Sequence, residues 1–162
     1  MSPAQREPVV AYIALGANLG DAVATLRRTI DAIGALEQLE LLRRSSLYRS
    51  APVDSSGPDY INAVVCVRTT GTAYDLLKGL QQLEQAALRE RPYRNAPRTL
   101  DLDLLLFGDG TIHSATLEIP HPRMNGRAFV LVPLAQIAPE RVTPAALQAV
   151  AGQACERLTD PA

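Results

Sequence analysis

The sequence predicts an α+β fold: one mainly antiparallel sheet with helices packed on it, followed by a helical extension at the C-terminal end. Three observations lead there. Apolar runs of strand length alternate with two stretches of helical periodicity, in the order β-α-β-β-α-β. Hydrophobic residues make up 47% and charged residues 20% of the 162, which supplies one sizeable core and a soluble surface. No internal repeat, low-complexity tract or linker divides the chain, so residues 9–160 read as a single domain behind a disordered polar tail at residues 1–8.

The elements follow in order. Residues 9–15, VVAYIAL, are apolar and β-branched, as in a buried strand. Gly16 to Asp21 make a turn, and Asn18 or Asp21 caps the helix that follows. Leu19, Val23, Leu26, Ile30 and Ile33 recur at three- and four-residue steps, the stripe of an amphipathic helix that stops near Gly34. Residues 41–50 read as a second strand with Arg43, Arg44 and Arg49 exposed. Two prolines and a glycine make residues 51–59 a loop. In the third strand, residues 60–70, Tyr60, Asn62, Val64, Cys66 and Arg68 share a face. An inward asparagine beside a tyrosine is either a satisfied core amide or a group that reads a ligand.

Residues 72–88 form the second helix, opened by a Thr72–Asp75 capping box and buried along Leu76, Leu77, Leu80, Leu83 and Ala87. Gln81 and Glu84 share another face of it. The fourth strand ends at Phe107 and is followed by a hairpin-type turn, Gly108-Asp109-Gly110. Residues 130–137 are a short apolar run. Thr143 and Pro144 start a last amphipathic helix carrying Leu147, Val150, Ala154 and Leu158. The first six elements give the split βαβ, or ferredoxin-like, arrangement. It leaves one sheet face for a ligand or an added layer.

The chemistry is concentrated in residues 89–107, RERPYRNAPRTLDLDLLLF. Arg89, Arg91, Arg94 and Arg98 fall in a segment that Pro92 and Pro97 keep out of a helix. The strand after it places Asp101 and Asp103 on one face, ~7 Å apart, with Leu100, Leu102, Leu104 and Leu106 on the other. Leu105 and Phe107 continue the aspartate face and make it apolar farther along. Either feature alone is ordinary: arginine loops are commonly solvated, and acids alternating with leucines commonly mark a wet sheet face. Their adjacency is the signal. Paired carboxylates hold a divalent cation and guanidiniums hold phosphate oxygens, so the pair suits a metal-bound polyphosphate. Farther on, His121 and Arg127 lie in a loop pinned by Pro120, Pro122 and Gly126.

Composition excludes several classes. A net charge of −1 gives no general attraction to nucleic acid or anionic membrane, and Lys78 is the only lysine among 16 cationic residues. There is no GxxxxGK[ST] and no GxGxxG, so any nucleotide is bound without a Walker loop or Rossmann turn. Cys66 and Cys155 form no CxxC, which fits free thiols in a reducing, cytoplasmic compartment. No stretch approaches the ~20 apolar residues of a membrane span.

The blocks YIALGANLGD, SSLYRSAPV, PDYINAVV, PRTLDLDLLLFG and IPHPRMNGRAFVLVPL occur in this order. Through them the chain resembles the 6-hydroxymethyl-7,8-dihydropterin pyrophosphokinase family over residues 9–139. The resemblance implies transfer of pyrophosphate from ATP to the pterin hydroxymethyl group, leaving AMP, as a step of tetrahydrofolate synthesis. It implies two Mg²⁺ ions ligated by Asp101 and Asp103, and phosphate-binding, catalytic roles for Arg89 and Arg98. It further implies ATP contacts from Gln81, Glu84, Arg91, His121 and Arg127. The pterin pocket would comprise Ser50, Val53, Tyr60, Asn62 and Phe129, with Asn62 reading the amide edge of the ring and Phe129 stacking on it. The expected partners are ATP and the pterin, with no nucleic acid and no membrane, and the expected state is a monomer. The proton acceptor is left open between the metal and Asp103. Departures from the family pattern fall at Ala17, Asn95, Ala96 and Pro122.

Two rivals use the same residues less fully. An RNA-reading module of this fold needs aromatics on its central strands, where only Tyr12 and Tyr60 stand. Another enzyme with a DxD metal pair, such as a nuclease or sugar-nucleotide transferase, gives Asn62, Phe129 and the histidine block no role.

Overall fold

The structure, a computed structural model, describes residues 7–18, 21–51, 58–89 and 100–158, with the side chains of 88 and 89 excepted. Its main sheet runs β5-β1-β4-β3-β8, with β2 on the same edge of β4 as β3. The strands are β1 (Val9–Ala17), β2 (Leu39–Arg44), β3 (Tyr48–Ser50), β4 (Tyr60–Thr69), β5 (Leu100–Phe107) and β8 (Cys155–Arg157), and every pairing is antiparallel. Two short strands, β6 (Ile112–His113) and β7 (Glu118–Ile119), pair with each other. The Gly108–Gly110 turn therefore leaves the sheet and makes no hairpin with β5.

Helices α1 (Ala22–Gly34) and α2 (Ala73–Arg89) lie on one face. Leu26, Ile30 and Ile33 of α1 and Leu76 and Leu80 of α2 are buried against Ile13, Val65, Leu102 and Leu104. Their caps are the ones expected. Asp21 Oδ1 accepts from Ala24 N at 3.0 Å, and Thr72 and Asp75 exchange both capping bonds at 3.0 Å. Leu19, expected on the α1 stripe, lies outside the described residues.

The opposite face carries an added layer over part of its length. The apolar run 130–137 is a helix, α3 (Ala128–Ile137). Val130, Leu131, Leu134 and Ile137 pack on Tyr12, Val64, Cys66 and Leu105 of the sheet. It is apolar almost all round, as a helix buried on several sides must be, which is why it lacks an amphipathic stripe in the sequence. The uncovered end of this face becomes the site.

Three expectations are corrected. Residues 41–50 are not one strand, because the chain bends at Ser45. Ser45 N donates to Val64 O at 2.9 Å, while Ser45 Oγ accepts from Val64 N at 2.9 Å. The side chain replaces a ladder carbonyl and β3 restarts on the far half of β4.

The alternation in β5 is also broken. Leu104 pairs with Ile13 and Leu106 with Tyr12, so Leu105 is an extra, unpaired residue, a β-bulge. Leu106 therefore joins Leu105 in the α3 core, and Phe107 turns to the α1–α2 core, reversing the sides expected for both.

The last helix is short. α4 (Pro144–Ala149) starts as expected, with Thr143 Oγ1 accepting from Ala146 N at 3.1 Å, but it covers only six residues. Cys155–Arg157 form β8, which pairs with β3 and covers its otherwise open edge. A free sheet edge outweighs an amphipathic pattern here.

Candidate active site

A cavity of about 850 Å³ opens at the end of the sheet that α3 leaves uncovered. Its floor is Ala14, Leu15 and Gly16 of β1, with Asp101 and Asp103 of β5 on one side and Tyr60 and Asn62 of β4 on the other. The register fixes this. Gly16 pairs with both Asn62 and Asp101, and Ala14 pairs with Asp103. Three adjacent strands thus bring the carboxylates and the amide across one glycine. A Cβ at residue 16 would lie 3.2 Å from Asn62 Nδ2, so glycine lets the floor pass beneath the amide. The sequence marks Gly16 only as the start of a turn, whereas the cross-strand register places it in β1 between Asn62 and Asp101.

Asn62 is buried at 3% exposure, and Ser50 at 4% donates its Oγ to Asn62 Oδ1 at 2.6 Å. In this arrangement Oδ1 takes the Ser50 proton. The nitrogen is left to donate toward the cavity, and a lone pair on Oδ1 remains to accept. A ring edge carrying one acceptor and one N–H is its complement. Asn62 is thus a buried amide whose oxygen is partnered by Ser50 and whose Nδ2 stands over Gly16 at the cavity floor.

The outer wall comes from the turn before α3 and from the first turn of α3. Pro122, Arg123, Gly126, Arg127 and Phe129 line it, and the Arg127 guanidinium lies over the Phe129 ring, 5.4 Å from its centroid. His121 stands beside it. Its backbone N–H donates to Leu105 O at 2.9 Å, and its Nδ1 accepts from Arg123 N at 3.1 Å. In the neutral ring the proton is then on Nε2, which faces Asp103 Oδ1 at 4.0 Å, too long for a hydrogen bond.

Burial pulls the His121 pKa below its ordinary value of 6.5; Asp103 opposes this, and Arg127 and Arg123 add to it. A proton-NMR titration of the metal-free protein should place its midpoint below 6.5, and Asp103→Asn should lower it further. In the window between that midpoint and 6.5 the unfolded chain binds more protons. This group's contribution is therefore level above 6.5, and stability falls as pH drops through 6.5 toward the native midpoint. A midpoint at or above 6.5 would contradict the burial.

Of the expected site residues, Ser50, Tyr60, Asn62, Asp101, Asp103, Arg127 and Phe129 line one cavity, and His121 abuts it through Asp103. Gln81 and Glu84 do not line it. They sit on α2, on the other face of the sheet, where Gln81 is exposed and Glu84 Oε2 accepts from Leu102 N at 2.8 Å. Glu84 is thereby joined to the carboxylate strand at its outer edge. Val53, Arg91, Arg94 and Arg98, with the departures Asn95 and Ala96, lie outside the described residues, and Arg89 is described only as the last residue of α2. Arg123, Gln153 and Ala154 enter the cavity wall unannounced. Arg123 was legible as one of two arginines beside His121; nothing in the sequence marks the other two.

The donor set can be tested against a hard divalent cation. Asp101 and Asp103 offer oxygens on one face at the cavity mouth, and among the described residues no group of three or more His, Cys, Asp or Glu side chains could hold a metal. Two carboxylates with the remaining positions left to water or phosphate is the ligand pattern Mg²⁺ favours.

Residues 12–139 match the family model described as 7,8-dihydro-6-hydroxymethylpterin-pyrophosphokinase (HPPK). The chain belongs to this family. Among similar HPPK-family proteins is the 2-amino-4-hydroxy-6-hydroxymethyldihydropteridine pyrophosphokinase of Haemophilus influenzae, 43% identical over 137 residues that cover 84% of this chain and 86% of that one. The protein of the same name from Synechocystis sp. is also 43% identical, over 134 residues covering 83% of this chain and 69% of that one. In fold, the chain resembles solved Plasmodium falciparum HPPK-DHPS structures. One has a TM-score of 0.68 at 16% identity, covering 84% of this chain but 43% of that one, so this chain spans less than half the length of those proteins. The described antiparallel sheet with helices on both faces is thus an HPPK-type fold. Among the described residues no helix is long and apolar enough to cross a membrane.

Proposed function

We propose that the chain transfers the pyrophosphoryl group of ATP to the hydroxymethyl group of 6-hydroxymethyl-7,8-dihydropterin, the reaction of its family in folate synthesis. One observation carries the reading at residue level. A single cavity is lined both by the carboxylate pair and by Asn62, Tyr60 and Phe129, so a phosphate-activating end and a flat-ring end share one space.

The roles follow from chemistry. Asn62, oriented by Ser50, donates to and accepts from the amide edge of the pterin, and Phe129 stacks on the ring. Asp101 and Asp103 would hold two Mg²⁺ ions. Bound there, the ions would neutralise phosphate charge, polarise the β-phosphorus and make the pterin hydroxyl more acidic. Arg127 and His121 hold phosphate oxygens, and phosphate charge would raise the His121 pKa toward the protonated form. Arg89, Arg91 and Arg98 add positive charge as it is needed in the transition state, and Gln81 and Glu84 contact ATP along the outer edge of β5. The hydroxyl proton would be lost to Asp103 or through the metal. The enzyme acts as a cytoplasmic monomer, with residues 9–160 as one domain.

The deciding assay is AMP formation from ATP and the pterin, with and without Mg²⁺. No AMP with both substrates and Mg²⁺ present would reject the function, and equal rates without Mg²⁺ would reject the metal. Arg98→Ala should lower kcat by about 10²-fold or more, as for loss of a transition-state charge clamp. A near-wild-type kcat would remove Arg98 from the machinery.

A further inference from the structure

We infer that Gln153 is a positioning residue for the reaction, holding Arg127 in place from a segment beyond the family match, which ends at residue 139. The geometry is simple. Gln153 Oε1 accepts from Ala128 N at 2.9 Å, and Gln153 Nε2 donates to Gly126 O at 2.9 Å. One side-chain amide therefore grips the peptide groups on both sides of Arg127.

The need for it is local. Arg127 is the N-cap of α3, with φ −128° and ψ 112°, and makes no side-chain capping bond. An arginine has no acceptor to offer the first free N–H groups of a helix. Ala128 N–H takes its acceptor from Gln153, 25 residues away in sequence. On the other side, the Met124–Gly126 turn is a single 3₁₀ turn with weak hydrogen-bond geometry. Arg127 itself keeps its local bonds, N–H to Met124 O at 3.3 Å and C=O from Val130 N and Leu131 N at 3.1 and 3.0 Å, while Gln153 takes the flanking Gly126 C=O and Ala128 N–H.

Gln153 is held in turn. It lies two residues before β8, where Cys155 pairs with Ser50, so β3 anchors the segment at the ring end of the cavity. Both Gln153 and Ala154 line the cavity wall. The side chain that steadies the phosphate-facing arginine is therefore fixed to the strand that orients Asn62. Displacing a positioned group by about 1 Å can cost about 10²-fold in rate, far more than an exposed amide contributes to folding.

The inference rests on the cavity assignment above, and the test separates the two. Gln153→Ala should keep its melting temperature within a few degrees and lower kcat/KM by about 10-fold. In an Arg127→Ala background, Gln153→Ala should cost less than about 2-fold, because the group it positions is gone. If Arg127→Ala is impaired while Gln153→Ala is as active as wild type, or if the two losses simply multiply, Gln153 has no such role. If Arg127→Ala itself matches wild type, the cavity assignment fails, and this inference with it.

Discussion

Asp101→Ala and Asp103→Ala should each lower AMP formation by about 10³-fold or more, since under the proposed function each would remove a ligand from cations that neutralise the phosphates. Neither change should unfold the protein. Asp101 is exposed and Asp103 half-buried, while Leu100, Leu102 and Leu104 on the reverse face are all at or below 5% exposure. Each of those leucines contributes roughly 1.5–3 kcal/mol by burial, which keeps β5 seated without the carboxylates. The check is initial AMP release at saturating ATP, pterin and Mg²⁺, alongside a thermal melt. Activity near wild type in either variant, with an unchanged melt, would show that the pair does not hold the metal.

Asn62→Ala should lower kcat/KM for the pterin by on the order of 10³-fold, because a site built to hydrogen-bond an amide edge discriminates steeply once that bond is lost. It also leaves the buried Ser50 hydroxyl without its acceptor, a cost of about 1–3 kcal/mol to the fold. Binding of a non-hydrolysable ATP analogue, followed by calorimetry, should stay within about 3-fold of wild type, since no phosphate contact is touched. A parallel loss of nucleotide affinity would mean that Asn62 supports the whole cavity and does not read the ring.

Elements with one buried face were legible in the sequence because their periodicity records it. The stripes of α1 and α2, the pairing of Asp101 with Asp103, and the shared face of Tyr60, Asn62, Val64 and Cys66 all stand in the structure. Readings failed where a tertiary contact overrode the pattern. Ser45 spends its hydroxyl on a β4 N–H and bends the strand, and β8 takes a free sheet edge in place of a longer helix. α3 gave no stripe because it is buried on several sides. The site was half legible for the same reason. Residue types announced the carboxylates, the histidine and the asparagine, whereas Gly16 and Gln153 are placed at the cavity by contacts distant in sequence.

The bulge at Leu105 has a bearing on evolution. The one β5 residue with no opposite number on β1 is also the one whose carbonyl receives the His121 backbone N–H. An apparent flaw in the ladder thus serves as a mooring that keeps the imidazole beside Asp103, two positions upstream. Apolar residues of similar size could replace these leucines without moving the bulge, whereas deleting one residue would remove it. Losing the extra residue would mend the ladder and cast the histidine loose from it.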